Sequence, residues 1–346
     1  MCNIAGYVGG ENATPILLKM IKAQEGLNGG FYSGLAVHDG KRLDYRKARG
    51  DLDTLLSETD AETLSGNMGI IHSRTPSGGS GLWAHPFFTE RGGELQLCYV
   101  ANGSAGRYKS RREAYSILAD SLVEQGFAMP CREMFEGDKY LRLSDGFGVH
   151  MSDVMCQLIY KYKVDGLSTD TAMAEAFTQL PSEIVGLCIE RETPDAIYFS
   201  RINMPMFVGF DGNGAYLASS PTAFPDSVTD FHLLPALSSG IVYKDRYQVT
   251  KYSHFEDKVR GFNRRTVENA EKMILERLRY DATGARDLMS DLSKRLPKTA
   301  MTQSWAIIYT ALYNLLKDGK IAAQDWRRTV GGQSGPYTLF QLGQDK

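Results

Sequence analysis

The residue with the clearest chemical potential is Cys2, which directly follows the initiator methionine. Its small side chain permits removal of Met1, and cysteine then becomes the first residue. A free α-amine has a pKa of about 7.7–8.0, so it exchanges its proton near neutral pH. The amine can therefore act as general base for the thiol of the same residue, without a histidine partner. The alternative is a structural role, because free cysteines are among the most buried residue types.

Three further segments carry side chains that would complete a site around a thiol nucleophile. Asn102 offers a side-chain NH2 group and Gly103 a backbone N–H, and two such donors can stabilise the oxyanion of a tetrahedral intermediate. Arg74 has a planar, always charged guanidinium that suits a substrate carboxylate. Structural alternatives exist, because Asn-Gly forms common turns and Arg74 fits an internal salt bridge. His85 is compatible with a pocket and with a hydrogen-bonded core position.

These segments, taken in order, resemble those of the class II glutamine amidotransferases, a family that includes the glutaminase domain of glucosamine-6-phosphate synthase. The resemblance spans about residues 2–245. It is carried by Met-Cys-Asn-Ile-Ala-Gly-Tyr-Val-Gly at 1–9, Gly-Gly-Phe-Tyr-Ser-Gly-Leu-Ala-Val at 29–37, Gly-Ile-Ile-His-Ser-Arg-Thr at 69–75, Ala-His-Pro at 84–86, Val-Ala-Asn-Gly at 100–103 and Gly-Ile-Val at 240–242. Asn3 departs from the pattern, since the family usually has Gly after the nucleophile.

The resemblance implies that the thiol attacks the side-chain amide of L-glutamine and that the products are L-glutamate and ammonia. It implies neither a cofactor nor a metal ion. The residues that it assigns to the site are the catalytic Cys2, Asn102 and Gly103 and the substrate-binding Arg74, Thr75, Ser77, His85 and Asp153.

The assignment of Asp153 rests on the weakest match. The family holds the α-ammonium of the substrate with an acidic residue in a Ser/Thr-Asp-x-Glu segment that opens a helix. Ser152-Asp153-Val154-Met155 is similar to that segment but lacks its Glu. A gapless alignment would put Asp153 on the Glu position, and a favourable charge at a helix N-terminus is the structural alternative.

The elements that must position these residues are predicted from hydrophobic periodicity. Strand patterns occur in runs, with helical patterns at 13–25, 109–126, 152–163 and 170–179 between them, which favours an α+β fold. The resemblance narrows this to a four-layer αββα sandwich of the N-terminal-nucleophile hydrolase type, over residues 2–250. Three helical patterns between 264 and 317, followed by a hairpin pattern at 321–342, predict a winged-helix-like module over residues 260–346.

Composition limits the cellular setting. The chain has 346 residues, 42% hydrophobic residues and a formal net charge of −2. Its five cysteines are odd in number and form no CxxC pair, which favours reduced thiols in the cytoplasm. The sequence shows neither a signal peptide nor an apolar run long enough for a membrane span. Residues 256–346 hold 16 Lys and Arg against 11 Asp and Glu, which is compatible with a solvated helix surface or an acidic partner.

Three functions stay open at this point. In the first, the chain is a glutaminase subunit whose ammonia passes to an acceptor on a separate synthase partner, because the roughly 100 residues after the resemblance are too few for a synthase domain. In the second, the same nucleophile hydrolyses another amide. In the third, the chain is a non-catalytic amino-acid sensor whose basic tail binds DNA or a protein. Each of the three functions is compatible with a homo-oligomer, and no membrane contact is expected.

Overall fold

The computed structural model describes residues 2–104, 108–134, 140–252, 254–255, 258–296 and 303–343. The strands among them, in chain order, are β1 (Asn3–Gly9), β2 (Tyr32–His38), β3 (Leu43–Ala48), β4 (Met68–Arg74), β5 (Phe87–Arg91), β6 (Glu94–Gly103), β7 (Leu141–Arg142), β8 (Gly148–Val149), β9 (Glu183–Glu190), β10 (Ile197–Arg201), β11 (Phe207–Phe210), β12 (Gly214–Ala218), β13 (Asp230–Leu233), β14 (Ser238–Val242), β15 (Tyr247–Lys251), β16 (Thr283–Gly284), β17 (Ile321–Val330) and β18 (Gln333–Leu342).

The α-helices within the same described ranges are α1 (Ala13–Asn28), α2 (Leu52–Glu58), α3 (Arg112–Glu124), α4 (Met151–Val164), α5 (Thr169–Gln179), α6 (Arg264–Leu278), α7 (Ala285–Ser293) and α8 (Ser304–Lys317).

Two antiparallel sheets form the centre of the N-terminal part. The first has the order β13-β11-β12-β1-β4-β2-β3, and the second has the order β15-β14-β10-β9-β6-β5. Strand β1 therefore lies in the middle of its sheet, and Cys2 precedes its first residue. A central position holds the start of the chain between two neighbours, β4 and β12.

Apolar side chains fill three spaces between four layers. Ile4 and Val8 of β1 point between the sheets, where they join Val100 and Leu187 of the second sheet. The other face of the first sheet packs on α1 and α2, and the outer face of the second sheet packs on α3, α4 and α5. The layer order is thus helix, sheet, sheet, helix. Burial on both faces explains why β1 is apolar along most of its length instead of alternating.

The C-terminal part has the order α6, β16, α7, α8, β17, β18, and its sheet has the order β16-β18-β17. Leu288 and Leu312 belong to its buried cluster, which also takes in Leu27 and Phe207 from the N-terminal part. The two parts therefore share apolar core. A polar contact also joins the two parts, because Arg327 of the C-terminal part donates a hydrogen bond to Asp51 of the N-terminal part at 2.9 Å.

The predicted α+β class is confirmed, while several elements differ from the sequence patterns. Helix α3 begins at Arg112, three residues later than the pattern at 109–126 predicts, and has no side-chain cap at its N-terminus. Strand β3 and helix α2 were not predicted. The sequence of β3 is mixed and polar, which suits a strand at the edge of a sheet but gives no clear apolar pattern. Within the described residues, no helix is both long and apolar enough to cross a lipid bilayer.

Candidate active site

A cavity of about 370 Å³ opens where the ends of β4, β6 and β9 meet the start of the chain. This volume is within the range of small-molecule sites. The cavity is lined by Cys2, Arg74, Thr75, Ser77, His85, Ala101, Gly103, Ser104, Tyr108, Tyr140, His150, Met151, Ser152, Ser182 and Glu183. Six of the eight site residues predicted from the sequence are among them, and Asn102 and Asp153 are the two that are not.

Asn102 nevertheless holds the nucleophile in place from behind the cavity surface. Its Oδ1 accepts a hydrogen bond from the backbone nitrogen of Cys2 at 2.8 Å, and its Nδ2 donates to the Cys2 carbonyl oxygen at 3.0 Å. The Cys2 Sγ lies 3.8 Å from the hydroxyl oxygen of Thr75. One side chain of the second sheet thus holds both backbone polar groups of Cys2, the residue directly before β1 of the first sheet.

The backbone around Asn102 and Gly103 is irregular at this point. The pairing of β6 with β9 changes register between Asn102 and Gly103, so that Gly103 lies opposite Glu183. Such β-bulges are common beside active sites, because they redirect a side chain out of the regular alternation. The extra residue is Ile184 of β9, and its insertion brings Glu183 opposite Gly103 at the cavity.

The guanidinium of Arg74 is buried and oriented by three neighbours. It donates to the Trp83 carbonyl oxygen at 2.9 Å and to the Tyr140 hydroxyl at 3.3 Å. The Tyr32 ring lies beneath it, with the guanidinium carbon 4.6 Å from the ring centroid. A planar cation held on three sides in this way loses little side-chain entropy when it binds a carboxylate.

Three histidines near Cys2 are kept uncharged by burial. Desolvation lowers the pKa of His72 to about 3, and it also lowers the pKa values of His85 and His150 well below their usual range. The His72 and His85 rings lie 3.9 Å apart, and His72 bonds to the Ala101 carbonyl oxygen at 3.0 Å. Neither ring nitrogen of His85 has a hydrogen-bond partner among the described residues. These rings therefore contribute polarity to the site without adding positive charge at neutral pH.

Glu183 is a cavity residue that the sequence analysis missed. Its carboxylate is almost completely buried, and one oxygen accepts a hydrogen bond from the Ser152 hydroxyl at 2.9 Å. The other oxygen has no hydrogen-bond partner among the described residues. Burial raises the pKa of Glu183 to about 7. The available signal was an acidic residue at the head of the apolar run Ile184–Ile189, where a charge needs a partner.

The structure does not bring Asp153 to the cavity. Its buried carboxylate accepts hydrogen bonds from the Cys131 backbone nitrogen at 3.0 Å and from Gln157 Nε2 at 3.1 Å. Asp153 lies in the first turn of α4, and the carboxylate turns toward the segment at Cys131 and not toward Cys2. Its two oxygens are thus occupied by contacts that fasten this segment to α4.

Curated relatives and one solved structure resemble the chain over most of its length. It is 26% identical over 288 residues to the glutamine–fructose-6-phosphate aminotransferase (isomerizing) of Helicobacter pylori, a match that covers 80% of this chain and 42% of that protein. The same-named protein of Chlorobaculum tepidum is 27% identical over 267 residues, with coverage of 75% and 39%. The glutamine phosphoribosylpyrophosphate amidotransferase of B. subtilis, complexed with ADP and GMP, superposes with a TM-score of 0.56 at 17% identity, covering 80% of this chain and 58% of that one. No family model matches the chain.

These relatives and the shared fold support the family suspected from the sequence, the class II glutamine amidotransferases. The family predicted from the sequence is confirmed, and so is the prediction of an enzyme of this class with an N-terminal cysteine. The amidotransferase chain spans only about two fifths of the length of the curated relatives named above.

Proposed function

We propose that this amidotransferase chain hydrolyses L-glutamine to L-glutamate and ammonia, with Cys2 as the nucleophile after removal of Met1. The observation that carries the proposal is the double hydrogen bond between Asn102 and the backbone of Cys2, at the edge of a cavity that also contains Arg74. Once Met1 is removed, the nitrogen that donates to Asn102 is an amine. An amine that donates one hydrogen to Asn102 still has a free lone pair, which can accept the proton of the thiol.

The reaction proceeds through a γ-glutamyl thioester. The Cys2 amine takes the thiol proton, and sulfur attacks the amide carbon, which gives a tetrahedral oxyanion. The second hydrogen of the Asn102 NH2 group and the Gly103 N–H stabilise that oxyanion. The carbon–nitrogen bond breaks as the ammonium of Cys2 protonates the leaving nitrogen, and ammonia departs. Water then attacks the thioester, the amine accepts its proton, and the carbon–sulfur bond breaks to release glutamate and restore the thiol.

The charged ends of glutamine match two groups of opposite sign in the cavity. Arg74 would bind the α-carboxylate, with Thr75, Ser77 and His85 completing the wall. For the α-ammonium we propose Glu183 in place of Asp153, because Glu183 lines the cavity and one of its carboxylate oxygens has no partner in the described part of the chain. The oxygens of Asp153 are already bonded to Cys131 and Gln157.

We further propose that the ammonia acceptor lies on a separate synthase partner. The names of the curated relatives describe transfer of the glutamine nitrogen to an acceptor. Residues 260–346 would then form a separate module after an amidotransferase domain at residues 2–250. In that module, the order α6, β16, α7, α8, β17, β18 supports the winged-helix-like assignment.

The same module gives little support to the DNA-binding alternative. The recognition helix of a winged helix is its third, which here is α8. Most of α8 is buried, including Ile307, Tyr309 and Leu312. The tip of the β17–β18 hairpin contacts the amidotransferase part, where Gln333 donates to the Phe31 carbonyl oxygen at 3.0 Å. Helix α8 and the β17–β18 hairpin, the two elements that would enter DNA, are therefore already packed against other parts of the chain.

Three measurements on untagged protein test the proposal. Mass spectrometry should show that Met1 is absent, and a glutamine-mimicking diazoketone should label Cys2 stoichiometrically. Ammonia should be released from glutamine in preference to a panel of other primary amides, and C2A should abolish both the release and the labelling. Retention of Met1 would refute the amine-base mechanism. Preference for another amide would support the second of the three functions instead, and full activity of the isolated chain would refute the need for a synthase partner.

A further inference from the structure

A tyrosine of the C-terminal module reaches the polar core beneath the nucleophile. Tyr309 on α8 is fully buried, and its hydroxyl oxygen accepts a hydrogen bond from Asn28 Nδ2 at 2.8 Å. Asn28 is the last residue of α1, the helix that packs on β1. Because Asn28 is the donor, the hydroxyl hydrogen of Tyr309 is not used in this contact.

The side chain of Asn3 faces the same region. Asn3 pairs with Ser73 across β1 and β4, and cross-strand partners point to the same face of a sheet. The Ser73 hydroxyl accepts from the Gly30 backbone nitrogen at 2.8 Å, two residues after Asn28. One turn earlier on α1, Gln24 donates to the Ile4 carbonyl oxygen at 3.0 Å. The end of α1 is thus fastened to Ile4, the next residue along β1, and to Ser73, the partner of Asn3 in β4.

The side-chain amide of Asn3 needs hydrogen-bond partners at this buried position. Its side chain is completely buried, and neither its amide oxygen nor its amide nitrogen has a hydrogen-bond partner among the described residues. Burial raises the pKa of Tyr309, which therefore keeps its proton, and the Cys2 thiol adds to that rise while Asn28 and Asn3 oppose it. The Tyr309 hydroxyl, bonded to the last residue of α1, and the buried Asn3 amide therefore lie on the same side of β1.

We propose that Tyr309 is a positioning residue for the nucleophile: its hydroxyl links Asn28 to the buried Asn3 amide and so fixes the backbone that carries Cys2. This rests on the proposed glutaminase function for its kinetic consequence. Consecutive residues of a strand point to opposite faces, so an Asn3 held on the helix side directs Cys2 toward the cavity. Under this proposal the C-terminal module completes the active site without touching the substrate.

The test compares Y309F with Y313F in the full chain. Tyr313 lies one turn further along α8 and packs on Phe231, so its substitution makes the same chemical change at a position away from Cys2. Removal of a hydroxyl that serves two buried amides should lower kcat for glutamine by about tenfold in Y309F, with KM unchanged within about twofold. Y313F should keep both values. Iodoacetamide alkylation of Cys2, followed by mass spectrometry, should slow by a similar factor in Y309F only.

A double-mutant cycle with N3A tests whether Tyr309 acts through Asn3. If it does, the double variant should be no slower than N3A alone. Additive effects would overturn the proposal, as would a kcat for Y309F within twofold of the parent or an equal loss in Y313F. Titration of active sites with the diazoketone corrects for unfolded protein. If the parent chain released no ammonia from glutamine, the proposed function would fail, while the alkylation rates would still decide this inference.

Discussion

Replacement of Glu183 by Gln gives the sharpest test of how the cavity recognises its substrate. The substitution keeps the size of the side chain and an oxygen that can accept from the Ser152 hydroxyl, but it removes the negative charge. If Glu183 binds the α-ammonium of glutamine, the loss should appear in KM more than in kcat, because the ammonium lies away from the reacting amide.

The expected size of the effect follows from the burial of Glu183. Two unit charges about 3 Å apart attract by about 5 kcal/mol at an effective dielectric constant of about 20. Desolvation of the two groups offsets part of this attraction. A net loss of about 2–3 kcal/mol remains, which corresponds to an increase in KM of about 30- to 150-fold. Because burial raises the pKa of Glu183 to about 7, the advantage of the parent over E183Q should grow as pH rises through about 7 and the carboxylate ionises.

The assay measures ammonia release from two substrates. Glutaramate is glutamine without its α-ammonium group, so E183Q should affect glutamine strongly and glutaramate little. The matched control is D153N, which makes the same change at the acidic residue outside the cavity and should leave both KM values nearly unchanged. Equal losses for glutamine and glutaramate in E183Q would refute the ammonium contact. A selective loss for glutamine in D153N would return the role to Asp153.

Two further substitutions probe other parts of the structure. N102D keeps the acceptor for the Cys2 nitrogen but removes both NH2 hydrogens, so kcat should fall by about 10²–10³-fold in steady-state assays, and a loss below tenfold would exclude Asn102 from the oxyanion site. Burial raises the pKa of Glu25 to about 7, so its ionisation destabilises the fold as pH rises from its ordinary value of 4.5 through 7. E25Q stays neutral and can still accept from the Leu52 N–H, so it should raise the free energy of unfolding at pH 8 by about 2 kcal/mol and leave it unchanged near pH 4. Denaturant titrations at both pH values measure this, and equal stabilities at pH 8 would contradict it.

Part of the candidate site could be read along the chain. Cys2 next to the initiator, Arg74 at the end of an apolar run and the Asn102-Gly103 pair are local patterns. Their local sequence also determines the strands that end at them, because β1, β4 and β6 are apolar segments that must be buried. These features depend on near neighbours in the sequence, which is why a single sequence reveals them.

The roles of the acidic residues depended on packing between distant segments. Asp153 and Glu183 are both acidic residues beside apolar runs, and nothing local distinguishes them. The fold turns Asp153 toward Cys131 and Gln157, whereas the bulge in β9 brings Glu183 opposite Gly103 at the cavity wall. A carboxylate's surroundings are set by which strands pair and in which register, and a sequence pattern does not specify these.

The sequence by itself determined the α+β class through local periodicity, and it predicts Cys2 as the nucleophile with Asn102 and Gly103 as oxyanion donors through residue type and the family resemblance. Only the tertiary structure decided which carboxylate faces the cavity and where the C-terminal module lies. Tyr309 is 307 positions from Cys2 in the chain, yet its hydroxyl accepts a hydrogen bond from Asn28 at the end of α1, the helix that packs on β1. Such contacts form because burying Leu27 with the helices of the module removes apolar surface from water, and that driving force acts on the folded surface as a whole.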